Sequence, residues 1–136
     1  MPLPILVTAA VIINEKKKLF LARRKKSDDQ GDLWELPGGK IEHYEKPDKC
    51  LEREISEELG MKIDAYRPFN FIYWEYSNKR ILLMAYFCKI LSGAPKTIDC
   101  ADFGFFKARA IRENDVKLAP ADIPLVDELL ERGLVI

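Results

Sequence analysis

The sequence predicts an α/β fold in which helices cover the faces of a mixed β-sheet, and three observations carry this prediction. Short apolar runs rich in β-branched and aromatic residues recur along the chain, as strands require. Only two segments show the three-to-four-residue apolar spacing of a convincing helix. The length of 136 residues suits one compact domain, residues 1–136, and no linker or internal repeat divides it.

The first part of the chain predicts strands joined by turns. Residues 5–13 and 18–22 flank a polar turn and are expected to pair as a β-hairpin. After a polar loop, residues 33–36 predict a short strand. The run Pro37-Gly38-Gly39 is a strong breaker and is expected to end that strand.

Residues 47–59 predict the first helix. Pro47 suits the first helical turn, where its missing N–H costs nothing. Leu51, Ile55 and Leu59 share one face, and Gly60 follows at the position where a helix commonly ends.

The second half of the chain predicts another hairpin, one more strand and a closing helix. Residues 69–76 and 81–90 are apolar and flank a polar turn, which predicts paired strands. Residues 103–107 predict a short strand, and residues 122–132 predict the second helix. Strands on both sides of only two helices indicate a mixed sheet with helices on its faces.

Charge and cysteine content exclude several function classes. The chain has 22 Lys+Arg and 22 Asp+Glu, so its net charge is zero, which argues against stable binding of nucleic acid by bulk electrostatics. The apolar run at 3–13 is too short to span a bilayer and lacks the flanks of a signal peptide. No membrane partner is expected for the same reason. Three scattered cysteines predict reduced thiols in a cytoplasmic protein.

One segment stands apart because it combines a glycine pair with a cluster of acids. In the predicted helix Glu54, Glu57 and Glu58 fall within about one quadrant. Like charges at this spacing repel, and a divalent cation relieves the repulsion. Mg²⁺ usually binds one or two carboxylates together with substrate phosphates, and Gly38-Gly39 permits close backbone approach. The alternative is an acidic, solvated helix face.

The same segment resembles the Nudix hydrolase signature at every fixed position. Those positions are Gly39, Glu45, Arg53, Glu54, Ile55, Glu57, Glu58, Gly60 and Met61. Runs at 19–24, 34–42 and 118–124 also look like the MutT branch, and the last is similar to bacterial CTP pyrophosphohydrolases. The resemblance implies the Nudix α/β/α sandwich and hydrolysis of a nucleoside diphosphate linked to another group.

The resemblance also implies roles for the motif residues. Glu54, Glu57 and Glu58 supply metal-binding oxygens together with the Gly38 carbonyl, and the implied cofactor is Mg²⁺, with Mn²⁺ as a substitute. Bound metal lowers the pKa of a water to give a nucleophile near neutral pH. Glu54 is the first candidate for the general base and Glu57 the second, while Arg53 orients the carboxylates.

Further candidates lie outside the motif helix. Asp102 is implied as another metal ligand or base, with an ordinary turn Asp as the alternative. Arg23 and Arg24 point to opposite faces of their strand, so at most one reaches phosphate, and Lys40 is a further phosphate candidate. Asp122 occupies a base-contacting position of the MutT branch, suited to a cytosine or guanine edge. Its alternative role is a helix N-cap.

These expectations define an enzyme and two alternatives. The chain is expected to be a Mg²⁺-dependent pyrophosphohydrolase, monomer or homodimer, that converts a cytidine or oxidised-guanine triphosphate to the monophosphate and pyrophosphate. The alternatives are a Nudix hydrolase of a nucleotide sugar or dinucleoside polyphosphate, and a non-catalytic nucleotide-sensing module. The intact acidic set counts against the sensor. His43, the only histidine, is expected in an exposed loop.

Overall fold

The computed structural model describes residues 3–42 and 44–136, and the elements of these ranges form two sheets with helices. The strands are β1 (Ile5–Val11), β2 (Leu19–Arg23), β3 (Trp34–Glu35), β4 (Gly38–Lys40), β5 (Lys62–Glu75), β6 (Arg80–Ser92) and β7 (Asp102–Phe106). The α-helices are α1 (Pro47–Leu59), α2 (Ala108–Arg112) and α3 (Ile123–Glu131), and α3 follows a 3₁₀ turn at Pro120–Asp122. The expected α/β class is confirmed.

The larger sheet is mixed, and its strand order is β4-β1-β6-β5. Strand β1 runs parallel to β6 and antiparallel to β4, while β5 and β6 form the expected antiparallel hairpin. The smaller sheet has the order β3-β2-β7 and is antiparallel throughout. Its β3 and β7 confirm the two short strands expected from the sequence.

The expected hairpin between β1 and β2 is wrong, because the two strands belong to different sheets. They meet only near their turn, where Ile13 bridges Leu19 and the Phe20 N–H donates to the Ile12 carbonyl at 2.9 Å. The carboxyl-terminal half of β1 is buried on both faces. A strand buried in this way takes partners along both edges, here β4 and β6, so β2 turns away to start the second sheet.

The glycine pair forms a strand rather than a break. Gly38 lies opposite Ala9 and Gly39 opposite Thr8 in the β4–β1 pairing. A Cβ on Gly38 would collide with the Thr8 carbonyl oxygen, so only glycine permits this approach. Strand β4 therefore lies directly along the edge of β1, and the chain continues from it to helix α1.

Helix α1 matches its expected bounds. Pro47 lies in the first turn, and Gly60 ends the helix in the left-handed conformation with φ 69°. The helix buries Leu51, Ile55 and Leu59 in one of two apolar clusters, together with residues of β2, β5 and β6. This packing fixes which way its glutamates face.

The remaining differences between the prediction and the structure lie in the second half of the chain. Strands β5 and β6 are longer than expected, because register shifts around Pro68 let β5 continue through a polar stretch. Helix α2 was not expected and has only five residues. Helix α3 packs Leu125, Val126 and Leu129 into the second apolar cluster. None of the helices within the described ranges is long and apolar enough to cross a membrane.

Candidate active site

A cavity of about 530 Å³ opens where β1, β4, β6 and α1 meet the β2–β3 loop. One wall is aliphatic and comes from the strands of the larger sheet: Ile5, Val7, Ile81 and Leu83. The polar lining carries cations and carboxyl groups that include Arg24, Lys40, Lys79, Glu35, Glu54, Glu58 and Asp122. An apolar wall facing a polar one suits a ligand with a flat ring and a charged chain.

The helix presents two of its three motif glutamates to the cavity. Glu54 and Glu58 line it, whereas the Glu57 side chain is 59% exposed and pairs with Arg53 at 3.1 Å. Burial, together with the nearby Glu35 and Glu54, raises the pKa of Glu58 to about 9. Burial also raises the pKa of Glu54, although Arg53 lies 3.0 Å away. Negative charge is thus crowded at this end of the cavity.

Arg53 ties the helix to the loop that precedes it. Its guanidinium donates to both Glu45 oxygens, at 2.6 and 3.0 Å, and to the Lys40 carbonyl at 3.3 Å. These bonds, with a further one from the Glu42 N–H, lower the pKa of Glu45 to about 2. Since Arg53 also contacts Glu54 and is absent from the cavity lining, its position suits orienting a carboxylate rather than binding phosphate.

Strand β4 passes close to helix α1 at Gly39. A Cβ on Gly39 would collide with the Glu54 carboxyl group. The Thr8 hydroxyl donates to the Gly39 carbonyl at 3.1 Å, and the Cys50 thiol donates to the Lys40 carbonyl at 3.3 Å. Cys50 is fully buried at this close contact, and burial raises its pKa to about 11.

The donor set fits a hard divalent cation that shares its ligands with substrate. Across the described parts of the chain, no three His, Cys, Asp or Glu side chains already converge to enclose a metal ion. Glu54 and Glu58 nevertheless line one cavity together with Gly38, and burial is the main reason that the pKa of each carboxyl group is raised. Two carboxylates completed by backbone and phosphate oxygens match the preference of Mg²⁺.

Glu35 is a cavity residue that the sequence analysis missed. It lies on β3 and accepts a hydrogen bond from Arg24 at 3.1 Å, yet burial raises its pKa despite this partner. Arg24 lines the cavity, whereas Arg23 pairs with Asp32 at 3.1 Å and is absent from the lining. A charged residue in the short apolar run of 33–36 was the available signal for Glu35.

Asp122 lies buried in the cavity wall, only 5% exposed. Its Oδ1 accepts a hydrogen bond from the Leu36 N–H at 3.0 Å, and its side chain makes no capping bond to α3. The N-cap role is therefore wrong, because the carboxyl group turns toward β3 instead of its own helix. Burial, reinforced by Glu35, raises the pKa of Asp122 well above its ordinary value.

The remaining candidates are spread more widely. Lys40 lines the cavity and is exposed. Asp102 is exposed at the start of β7, where it lies opposite Arg23 and accepts the Phe103 N–H at 2.8 Å, and it is absent from the cavity lining. His43 lies outside the described residues.

Comparison with known proteins agrees with this architecture. The family model described as the NUDIX domain matches residues 3–129. An 8-oxo-dGTP diphosphatase of Buchnera aphidicola is 31% identical over 87 residues, which are 64% of this chain and 70% of that protein. The Escherichia coli CTP pyrophosphohydrolase is 30% identical over 102 residues, 75% of this chain and 74% of that protein. Matches to other 8-oxo-dGTP diphosphatases span between 38% and 65% of those proteins.

Solved structures show the same fold. The solution structure of the E. coli ORF135 protein superposes with a TM-score of 0.77 at 31% identity, covering 96% of this chain and 94% of that one. The chain therefore belongs to the Nudix family, within which it is a MutT-like hydrolase.

Proposed function

We propose that the chain hydrolyses a nucleoside triphosphate to the monophosphate and pyrophosphate, with a cytidine or oxidised-guanine nucleotide as substrate. The observation that carries this proposal is one cavity that joins the Glu54–Glu58 pair to the buried Asp122 across an aliphatic wall. A nucleotide laid along that wall presents phosphates to one end and its base to the other.

The phosphate end is built for a divalent cation. Glu54 and Glu58 would hold Mg²⁺, or Mn²⁺ in its place, with the Gly38 carbonyl as a further oxygen. When bound, the ion neutralises the phosphate chain and activates the attacking water. Glu57 faces solvent beside Arg53, so it serves as a ligand only after leaving that ion pair.

The protein groups at this end have separate tasks. Arg53 holds Glu54 in place through a contact of 3.0 Å. One motif glutamate accepts the proton of the attacking water in place of a role as metal ligand, with Glu54 as the first candidate and Glu57 as the second. Lys40 and Arg24 supply positive charge to the phosphates, and the water attacks an inner phosphorus.

The base end is organised around Asp122. One of its oxygens is committed to the Leu36 N–H. The other has no hydrogen-bond partner among the described residues and remains to accept from an exocyclic amine of cytosine or guanine. The names of the two relatives, a CTP pyrophosphohydrolase and an 8-oxo-dGTP diphosphatase, support these two bases.

A substrate panel tests the proposal. The assay compares kcat/KM for CTP, dCTP, GTP, dGTP, 8-oxo-dGTP, a nucleotide sugar and a dinucleoside tetraphosphate with Mg²⁺, and it scores pyrophosphate against phosphate. We expect pyrophosphate from a cytidine or 8-oxo-guanine nucleotide, and a changed base preference in Asp122→Ala. Asp127→Ala is the matched control, since Asp127 is an exposed aspartate on α3, the helix that begins directly after Asp122.

Two outcomes favour the alternatives. A nucleotide sugar or dinucleoside polyphosphate preferred by about tenfold, or 1.4 kcal/mol of transition-state binding, would assign the cavity to that class of substrate. Nucleotide binding without turnover would indicate a sensing module. Whether the chain is a monomer or a homodimer stays a prediction that light scattering tests.

A further inference from the structure

We propose that Lys79 is a nucleotide-binding residue at the cavity rim. Without nucleotide its ammonium group pairs with the Asp29 carboxylate, and on binding Lys79 exchanges this carboxylate for an oxygen of the nucleotide. The inference rests on the proposed function of the cavity. Lys79 lies in the turn between β5 and β6, and its Nζ is 2.6 Å from Asp29 Oδ2 in the β2–β3 loop. Both residues line the cavity.

The loop that carries Asp29 does not depend on Lys79 for its shape. The Arg24 Nε donates to the Asp29 carbonyl at 2.6 Å, and Arg23 pairs with Asp32 at 3.1 Å. Outside the cavity lining, Lys25 pairs with Asp99 at 2.8 Å. These contacts fix the loop conformation without Lys79, so the Asp29–Lys79 ion pair can separate while the loop keeps its shape.

Lys79 lies toward the end of the cavity that holds Asp122. Its Nζ is 5.5 Å from the centroid of the Tyr76 ring. The Tyr76 hydroxyl in turn accepts the Ala121 N–H at 3.3 Å, one residue before Asp122. The Tyr76 ring thus links the ammonium group of Lys79 to the residue that precedes Asp122.

The other two cations of the cavity differ from Lys79. Arg24 is bonded to the partly buried Glu35 and to a backbone carbonyl, so it is costly to redirect. Lys40 follows Gly39 at the carboxylate end. The partner of Lys79 is instead a side chain that is 48% exposed, and water solvates a half-exposed carboxylate after the pair separates. Of Arg24 and Lys79, the two cavity cations with carboxylate partners, Lys79 is therefore the one whose partner a ligand oxygen replaces more easily.

The exchange predicts opposite effects for the two partners. If Asp29 competes with the nucleotide for Lys79, then Asp29→Asn frees the ammonium group and strengthens nucleotide binding, whereas Lys79→Met weakens it. If the pair only ties the loop to the hairpin, both substitutions break the same tie and shift binding in the same direction. The sign of the Asp29→Asn effect separates the two roles.

The test measures binding without turnover. Calorimetry with Mg²⁺ compares wild type, Lys79→Met, Asp29→Asn and the control Lys25→Met, using CMP, 8-oxo-dGMP and their α,β-methylene triphosphate analogues. Lys25 is the matched control because it belongs to the same loop and forms a similar ion pair away from the cavity lining. We expect about tenfold weaker binding for Lys79→Met and about twofold tighter binding for Asp29→Asn, with Lys25→Met unchanged.

The arms of the same experiment identify the oxygen that Lys79 contacts. A loss in Lys79→Met that is larger for the triphosphate analogues than for the monophosphates assigns the contact to the phosphate chain. If the loss is equal for monophosphates and triphosphate analogues but differs between the cytidine and guanine series, the contact is to the base. In steady-state assays Lys79→Met raises KM with little change in kcat, and Lys79→Arg restores part of the affinity.

Failure of this inference is distinguishable from failure of the proposed function. Wild type that binds none of the four nucleotides refutes the function and the inference together. Wild-type binding with Asp29→Asn and Lys79→Met shifted in the same direction, or with Lys79→Met equal to wild type, overturns the role of Lys79 alone. Thermal melts of the variants verify that each is folded.

Discussion

Gly39 of β4 faces Glu54 of helix α1, so a single methyl group added at Gly39 tests whether the position of the Glu54 side chain matters for activity. A Cβ built on Gly39 lies 2.7 Å from the Glu54 Cγ and closer still to its carboxyl group, whereas ordinary contacts begin at 3.4 Å. The Glu54 carboxyl group must therefore move by at least about 1 Å. Because it is a flexible side chain that moves, we expect Gly39→Ala to fold with little loss of stability.

We expect the substitution to reduce activity rather than stability. A displacement of about 1 Å at a reacting group is enough for about a hundredfold loss of rate. We expect Gly39→Ala to lose about that factor in kcat. The neighbouring Gly38→Ala is the matched comparison, because its Cβ would meet the Thr8 backbone, which cannot rotate away. That variant is expected to lose about 1–3 kcal/mol of unfolding free energy.

Two measurements decide this prediction. Urea denaturation gives the free energy of unfolding of both variants, and a coupled pyrophosphate assay gives kcat. Full activity in Gly39→Ala refutes the claim that Glu54 must sit where the structure places it. Wild-type stability in Gly38→Ala refutes the claim that this glycine permits the approach of β4 to β1.

Three further predictions follow from the pKa values and hydrogen bonds. Ionised Glu45 stabilises the fold above its ordinary pKa of 4.5, and this contribution is lost as pH falls toward the folded value of about 2. Glu45→Gln should therefore flatten the unfolding free energy between those pH values, and an unchanged slope in urea titrations contradicts the Arg53 contact. Burial and a pKa of about 11 protect the Cys50 thiol, so iodoacetamide at pH 8 should modify it slowly until urea is added. A bulky maleimide at Cys50 should inhibit, and full activity after confirmed labelling argues otherwise. Asp122→Ala should lose about 1–3 kcal/mol of stability because the Leu36 N–H loses its acceptor, while Asp122→Asn retains it. Equal stability of both variants in denaturation would show that this bond contributes nothing.

Local sequence signals were enough for the motif helix and the second hairpin. Pro47 and Gly60 act on their own turns, and the apolar spacing of α1 identifies its buried face without knowledge of the rest of the fold. The same spacing placed the motif glutamates on one side of the helix. Turn residues between β5 and β6 likewise act locally.

Local signals could not predict contacts between segments that are distant in the sequence. The pairing of β1 with β6 joins residues more than seventy positions apart, and nothing in the first strands specifies it. Glu35 and Asp122 were hard to assign for the same reason. Glu35 acquires its role only when β3 brings it to Arg24, and Asp122 turns from its helix to Leu36 across 86 positions.

The central claim is that carboxylates of α1 support metal-dependent release of pyrophosphate, and one assay tests it directly. Pyrophosphate and phosphate are measured from CTP and 8-oxo-dGTP at increasing Mg²⁺, for wild type, Glu58→Gln and Glu52→Gln. Glu52 is the matched control because it lies on the same helix outside the cavity lining. We predict Mg²⁺-dependent pyrophosphate release that falls at least about a hundredfold in Glu58→Gln and persists in Glu52→Gln. Activity that survives EDTA or Glu58→Gln, or phosphate as the released product, would contradict the account.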